Sequence, residues 1–270
     1  MRTALLLGPL LAVLAQPLWA DARMTILVDL LQLPETARIL HQEDLAYAEE
    51  LHGDMLGGDA GLAWQVQVEA ILEPARVIET VRRALEAEIE GPLLEQTITF
   101  LRSDLGARTV TLENAARTEI ADEAVETAAR QRYAELAGSG SARLALLERL
   151  AAAGDMIDRN VTSAMNANFQ FMRGMAEGGA YEMSEADMLA DITGQADAIT
   201  EDTEAWLYGY MLLAYHPLSD AELRAYAEFS ETEAGRALNR GLFNGIEASY
   251  ADISYGLGRV VALNLRAEEL

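Results

Sequence analysis

The chain of 270 residues contains no cysteine and no lysine. Without thiols it has no disulfide, no iron–sulfur cluster, no thiolate nucleophile and no thiol-rich zinc site. Stability must come from packing. All 20 basic residues are arginine, set against 44 acidic ones, and the formal net charge is −24. Nucleic acid and anionic membrane surfaces are recognised by clustered cations, so the charge argues against both as partners. Only three histidines occur. His41 and His52 are eleven positions apart, which on one helix is over ~16 Å, too far to share a metal. The stretch from Asp54 to Asp59 is acidic and glycine-rich, but two aspartates do not make a calcium loop. HExxH, GxSxG, P-loop and GxGxxG patterns are all missing. No catalytic residue, metal site or cofactor is expected.

What is present begins with an export signal. Arg2 supplies the positive charge, Ala4 to Leu18 is apolar, and Leu18-Trp19-Ala20 ends in a small residue. This predicts a secretory signal peptide over 1–20, cleaved after about Ala20, and a periplasmic or secreted protein. The apolar run is shorter than the ~20 residues of a membrane span, and no later run is long enough, so no stable membrane anchor is expected after cleavage.

The remaining chain reads as helix. Alanine, leucine, glutamate and arginine dominate, and alternating strand patterns and hairpin signals are absent. Helices are predicted over about Met24 to Leu33, from Pro34 to about Leu51, from Ala63 with a break at Pro74, and from Pro92 to Phe100. Ser103 is predicted to cap one long helix reaching about Leu136. The Gly138-Ser-Gly-Ser141 stretch is the linker candidate between unit 1 (21–137) and unit 2 (142–270). Helices follow over Ser141 to Ala153 and Asp155 to Met175. Ser184 and Ser219 look like capping boxes, the first opening a helix that carries Met188, Ile192, Ile199, Trp206, Tyr210 and Leu213 on one face. The last helix, from about Glu233 to Leu265, has the stripe Leu238, Leu242, Ile246, Tyr250, Ile253, Leu257 and Val260. The fold class is all-α, with two tandem helical units.

A short motif occurs twice. Phe100-Leu-Arg-Ser103-Asp104-Leu-Gly106 is matched, 129 positions later, by Phe229-Ser-Glu-Thr232-Glu233-Ala-Gly235. Ser103 and Thr232 suit N-caps, Asp104 and Glu233 suit the positive first turn, and Gly106 and Gly235 mark a close approach by another helix. Phe100 and Phe229 would wedge the corner. A pseudo-two-fold arrangement of the two corners follows as an expectation.

At these residues the chain resembles the domain-of-unknown-function 2059 family, exported bacterial helical proteins with an F-Y-x-S-P-x-G corner. The second copy is the closer, from Ser219-Asp-Ala-Glu222-Leu223 through Phe229, Thr232, Gly235 and Leu238, so the resemblance is clearest over 219–246. The first copy, over 92–116, matches at Leu94, Phe100, Ser103 and Gly106. Both copies carry an acid where the family has proline, and Leu101 and Ser230 replace its tyrosine. The resemblance implies an exported helical domain and brings no catalytic residues with it.

Methionines gather between Met156 and Met188, and aromatics between Trp206 and Tyr255. Thioether clusters bind Cu(I) in exported proteins, but methionine is more often an adaptable core filler or the lining of a binding surface. Met165, Met172, Met175, Tyr208 and Tyr215 form the candidate binding surface. Three functional readings follow. The first is a non-enzymatic accessory protein that binds another periplasmic protein. The second is a binder of an apolar small molecule or lipid in an interhelical cleft. The third is an enzyme of unrecognised class, which would need carboxylates or histidines converging in a cleft.

Overall fold

The computed structural model describes residues 15–58 and 60–268. Most of the predicted leader, and Asp59 of the acidic loop, lie outside the described residues. Thirteen helices account for the fold, and among the described residues there is no strand. The helices before 138–141 are α1 (Ala15–Leu30), α2 (Leu33–Met55), α3 (Leu62–Ile71), α4 (Pro74–Glu88), α5 (Gly91–Leu101), α6 (Asp104–Ile120) and α7 (Glu123–Leu136). Those after it are α8 (Ala142–Ala153), α9 (Met156–Gly178), α10 (Glu185–Gly194), α11 (Ala196–Ala214), α12 (Asp220–Ser230) and α13 (Glu233–Glu268). The chain is all-α, as its composition predicts. Among the described residues no helix is long and apolar enough to cross a membrane.

Two long helices of the sequence reading are each divided. The segment after Ser103 breaks at Ala121, and Asp122 starts a new helix by accepting the backbone N–H groups of Ala124 and Val125 at 2.8 and 3.3 Å. The segment after Ser184 breaks at Gln195, between α10 and α11. Neither break carries proline, and the apolar register continues across both, which hid them. The two predicted capping boxes differ. Ser219 and Glu222 exchange both hydrogen bonds, whereas Ser184 caps Asp187 from one side only.

The two motif copies make the same hydrogen bonds. Ser103 Oγ accepts from Gly106 N at 3.1 Å and donates to Phe100 O at 2.6 Å. Thr232 Oγ1 accepts from Gly235 N at 3.0 Å and donates to Phe229 O at 2.6 Å. The close neighbour of each glycine is the preceding helix of its own corner: a Cβ would stand 2.1 Å from Phe100 O at Gly106 and 2.2 Å from Phe229 O at Gly235. The corners also meet. The Phe100 and Phe229 rings stack with centroids 3.7 Å apart and planes within 4°. Helix α5 touches α13, and α12 touches α6. Thr232→Val keeps the shape of the side chain and removes the cap. It should destabilise the protein by about 1 kcal/mol, the usual worth of an N-cap. Unchanged urea unfolding would refute the capping role.

Packing crosses the 138–141 segment. One core joins Leu27 of α1, Val68 of α3 and Val81 of α4 to Leu257 and Val261 of α13. The other joins Ala116 of α6 to Leu147 and Leu150 of α8, Met211 of α11 and Leu223 of α12. Helices α9 and α13 run in the same direction along their lengths. Gly154 lies by Asn239, Arg159 by Phe243, Gly174 by Tyr255 and Gly178 by Ala262. The approach is closest at Gly174 and Gly258, where a Cβ would stand 2.3 Å from Tyr255 O and 2.2 Å from Phe171 O respectively. Beside the N-terminal half of the pair a cleft opens, lined by Ser163 and Ala167 of α9 and by Ile246 and Tyr250 of α13.

Candidate functional site

The cleft is built by residues at helical spacing on five helices. Helix α6 contributes Val110, Glu113, Asn114 and Arg117. Helix α9 contributes Asn160, Ser163, Ala164 and Ala167, at the same i, i+3, i+4, i+7 steps. Leu242, Ile246 and Tyr250 come from α13, Trp206 and Tyr210 from α11, and Leu33, Thr36 and Leu40 from α2, with Leu31 just before it. The volume is about 580 Å³, within the range of small-molecule sites. The lining is mostly apolar, with a few polar groups at one wall. The small residues Ala164 and Ala167 leave the space open on the α9 side. Leu242, Ile246 and Tyr250 are the part of the α13 stripe that faces the cleft, and they are only half-buried, while Ile253 and Leu257 further along are buried.

The polar wall is a connected network. Arg117 grips Glu43 through Nε at 2.8 and 2.9 Å and through Nη2 at 2.7 Å. The same guanidinium lies over the Trp206 ring, 5.2 Å from its centroid, and Trp206 stacks on Tyr210 at 5.3 Å. Glu113 is the tie between helices. Its Oε1 accepts the hydroxyls of Tyr215 at 2.7 Å and Tyr226 at 2.9 Å, and its backbone carbonyl accepts the Tyr210 hydroxyl at 3.1 Å. Burial raises the Glu113 carboxyl above its ordinary value, and the two tyrosine bonds offset part of that rise. The same burial, with the Glu113 charge nearby, pushes Tyr210, Tyr215 and Tyr226 up, so these phenols stay protonated donors. Beside the network, burial and the neighbouring Glu43 carry Asp44 up to about 7.

The rim is held at a strained residue. Gln32, between α1 and α2, is left-handed with φ 50°. Its side chain donates to Thr111 Oγ1 at 3.1 Å and accepts from Asn114 Nδ2 at 3.3 Å. Thr36 donates to Asn114 Oδ1 at 2.9 Å. A non-glycine residue in this region costs of order 1–3 kcal/mol and persists where the surroundings hold it.

The candidate binding surface needs correction. Met175, Tyr208 and Tyr215 are only 3, 9 and 4 % exposed. Met175 packs in the first core, near the α9–α13 contact. Tyr208 stacks on Tyr133 of α7 with centroids 5.1 Å apart. Tyr215 packs in the second core, and its hydroxyl donates to Glu113. Met165 and Met172, also on α9, are partly exposed, so the five residues form no common surface. His41 Nδ1 lies 2.9 Å from Leu72 O, and His52 packs edge-on against Trp64. Phe100, Ser103, Gly106, Phe229, Thr232 and Gly235 keep their structural role at the corners and do not line the cleft.

Sequence reasoning missed Glu113, Arg117, Asn160 and Ser163. The available signal was polar residues at i, i+3, i+4, i+7 on α6 and α9, where a core-facing helix ordinarily carries apolar ones.

No family model, curated protein or solved structure matches the chain. The resemblance to the domain-of-unknown-function 2059 family therefore rests on the corner residues alone.

Proposed function

We propose that the protein is an exported, non-enzymatic binding protein that holds an amphipathic small molecule in the cleft between α2, α6, α9, α11 and α13. The observation that carries this reading is an apolar cleft of about 580 Å³ with one polar wall, the usual make-up of a small-molecule site. The protein-partner reading has less support, because three of the residues assigned to its surface are buried. The enzyme reading also has less. Glu113 spends one oxygen on two tyrosine hydroxyls, and Asp44, whose near-neutral carboxyl would suit a general base, is not among the lining residues. The proposed setting is the periplasm, where the leader-like N-terminus would send the chain.

The test uses a neutral fluorescent probe, N-phenyl-1-naphthylamine. Its emission should rise on binding to the wild-type protein. Ala167→Trp places an indole in the cleft, on the side kept open by small residues. It should weaken probe binding by at least about ten-fold, since overfilling a shaped site excludes its ligand. Equal binding by the two proteins would reject the cleft as the site.

A further inference from the structure

We propose, building on the cleft reading above, that the ligand is an organic cation: an alkyl- or arylammonium whose charged end meets Glu113 and Tyr250. Charge counting within the site leads there. Arg117 is the one basic residue lining the cleft, and Glu43 neutralises it with a bidentate grip. Glu113 then has no cationic partner among the described residues. Its two side-chain bonds come from neutral phenols, both to Oε1, and its Oε2 makes no hydrogen bond among the described residues. Asp44, close to Tyr250 and Arg117, adds a second acidic group, whose charge appears as it ionises near pH 7. An anionic ligand would enter against this charge and against the −24 of the whole chain. A cation is drawn in by both.

The aromatic wall suits the same chemistry. Cations bind the faces of tryptophan and tyrosine, most strongly where water is excluded. The protein already uses this contact with its own cation, Arg117 over Trp206. Trp206 already carries both Arg117 and Tyr210. The Tyr250 ring lines the cleft without a ring partner among the described residues, and its hydroxyl makes no hydrogen bond there. Glu113 and Tyr250 both line the cleft, and an ammonium held there leaves an apolar body to lie along Leu33, Leu40, Leu242 and Ile246.

Three probes of equal chain length separate the proposal from the cleft reading: octyltrimethylammonium, 1-octanol and octanoate, titrated calorimetrically into the full chain at low ionic strength. The cation should bind about ten-fold tighter than the alcohol, and the carboxylate weakest. Glu113→Gln keeps an acceptor for both tyrosines and removes the charge. It should abolish the cation's preference, bringing the ratio of cation to octanol affinity close to one. Tyr250→Leu, which leaves the Glu113 ties intact, should also lower the cation's preference and gives the answer if Glu113→Gln does not fold. Octanol binding that is lost in Ala167→Trp, with no preference for the cation, would overturn the charge proposal and keep the cleft. A cation preference that survives both Glu113→Gln and Tyr250→Leu would also overturn it. If none of the three probes binds, the cleft reading falls as well.

Discussion

Gly258→Ala should lower the thermal midpoint by about 2–12 °C, from an overpacking cost of about 1–3 kcal/mol in a chain of this size. The methyl group would stand 2.2 Å from the carbonyl oxygen of Phe171 and 3.1 Å from Met175 N. These are backbone atoms of α9, so no side chain can turn aside. The helices must separate, and they are joined along much of their length. Gly174 presents the same problem from the other side, 2.3 Å from Tyr255 O. Once one methyl has separated the helices, the second meets less resistance. The double variant should therefore lose less than the sum of the two single losses, since neighbouring sites couple. Gly194→Ala is the control. Nothing lies within 4 Å of its Cβ position, and alanine in a helix is favoured over glycine by roughly 0.5–1 kcal/mol. It should leave the midpoint unchanged or raise it. A Gly258→Ala protein as stable as the wild type would mean that α9 and α13 are further apart than described. Because the α9–α13 pair closes one end of the cleft, the same variant should also weaken the neutral probe.

The helix ends were legible because their signals are local. Ser103, Ser219 and Thr232 each cap a backbone N–H three residues away, and such short-range pairs stand close together in the sequence. The α13 stripe was legible for the same reason, one side chain per turn. The breaks at Ala121 and Gln195 were not. They are made by backbone geometry and a capping aspartate in segments that look helical throughout. The cleft was least legible of all. Glu113 on α6 reads as an ordinary solvated acid until its partners are known, and Tyr215 and Tyr226 lie 102 and 113 positions away. Arg117 finds Glu43 across 74 positions. One sequence holds no record of such pairs. Tyr210, Tyr215 and Tyr226 stand close together in the sequence, but what gathers their hydroxyls, the shared residue Glu113, lies in another helix. The same gap placed Tyr208 and Tyr215 on a surface when they belong to the second core.

Asp44→Asn should stabilise the protein at pH 8 by about 2 kcal/mol and have almost no effect at pH 4. In the folded protein the carboxyl is raised from 3.8 to about 7, first by burial and then by the adjacent Glu43, with Arg117 and His41 opposing. The folded state therefore prefers the protonated form. Below about pH 4 both folded and unfolded chains hold the proton, and there is no penalty. Between pH 4 and 7 the unfolded chain releases its proton while the folded one keeps it, so stability falls as pH rises. Above about pH 7 the folded carboxyl ionises too, and the full penalty remains. At 1.36 kcal/mol per unit the complete shift would be worth about 4 kcal/mol, and partial solvent contact reduces this to about 2. Asparagine is nearly the same shape and carries no charge. Asp44 makes no hydrogen bond among the described residues, so none is lost. Urea unfolding of wild type and variant at pH 4, 6 and 8 checks the sign as well as the size. The two curves should converge at pH 4 and separate steadily towards pH 8, with the variant above. Parallel curves, or a variant less stable at pH 8, would show that Asp44 is ionised in the folded protein at neutral pH, held there by Arg117. That outcome would also strengthen the negative field beside Tyr250, so the same titration measures the charge that a cationic ligand would meet.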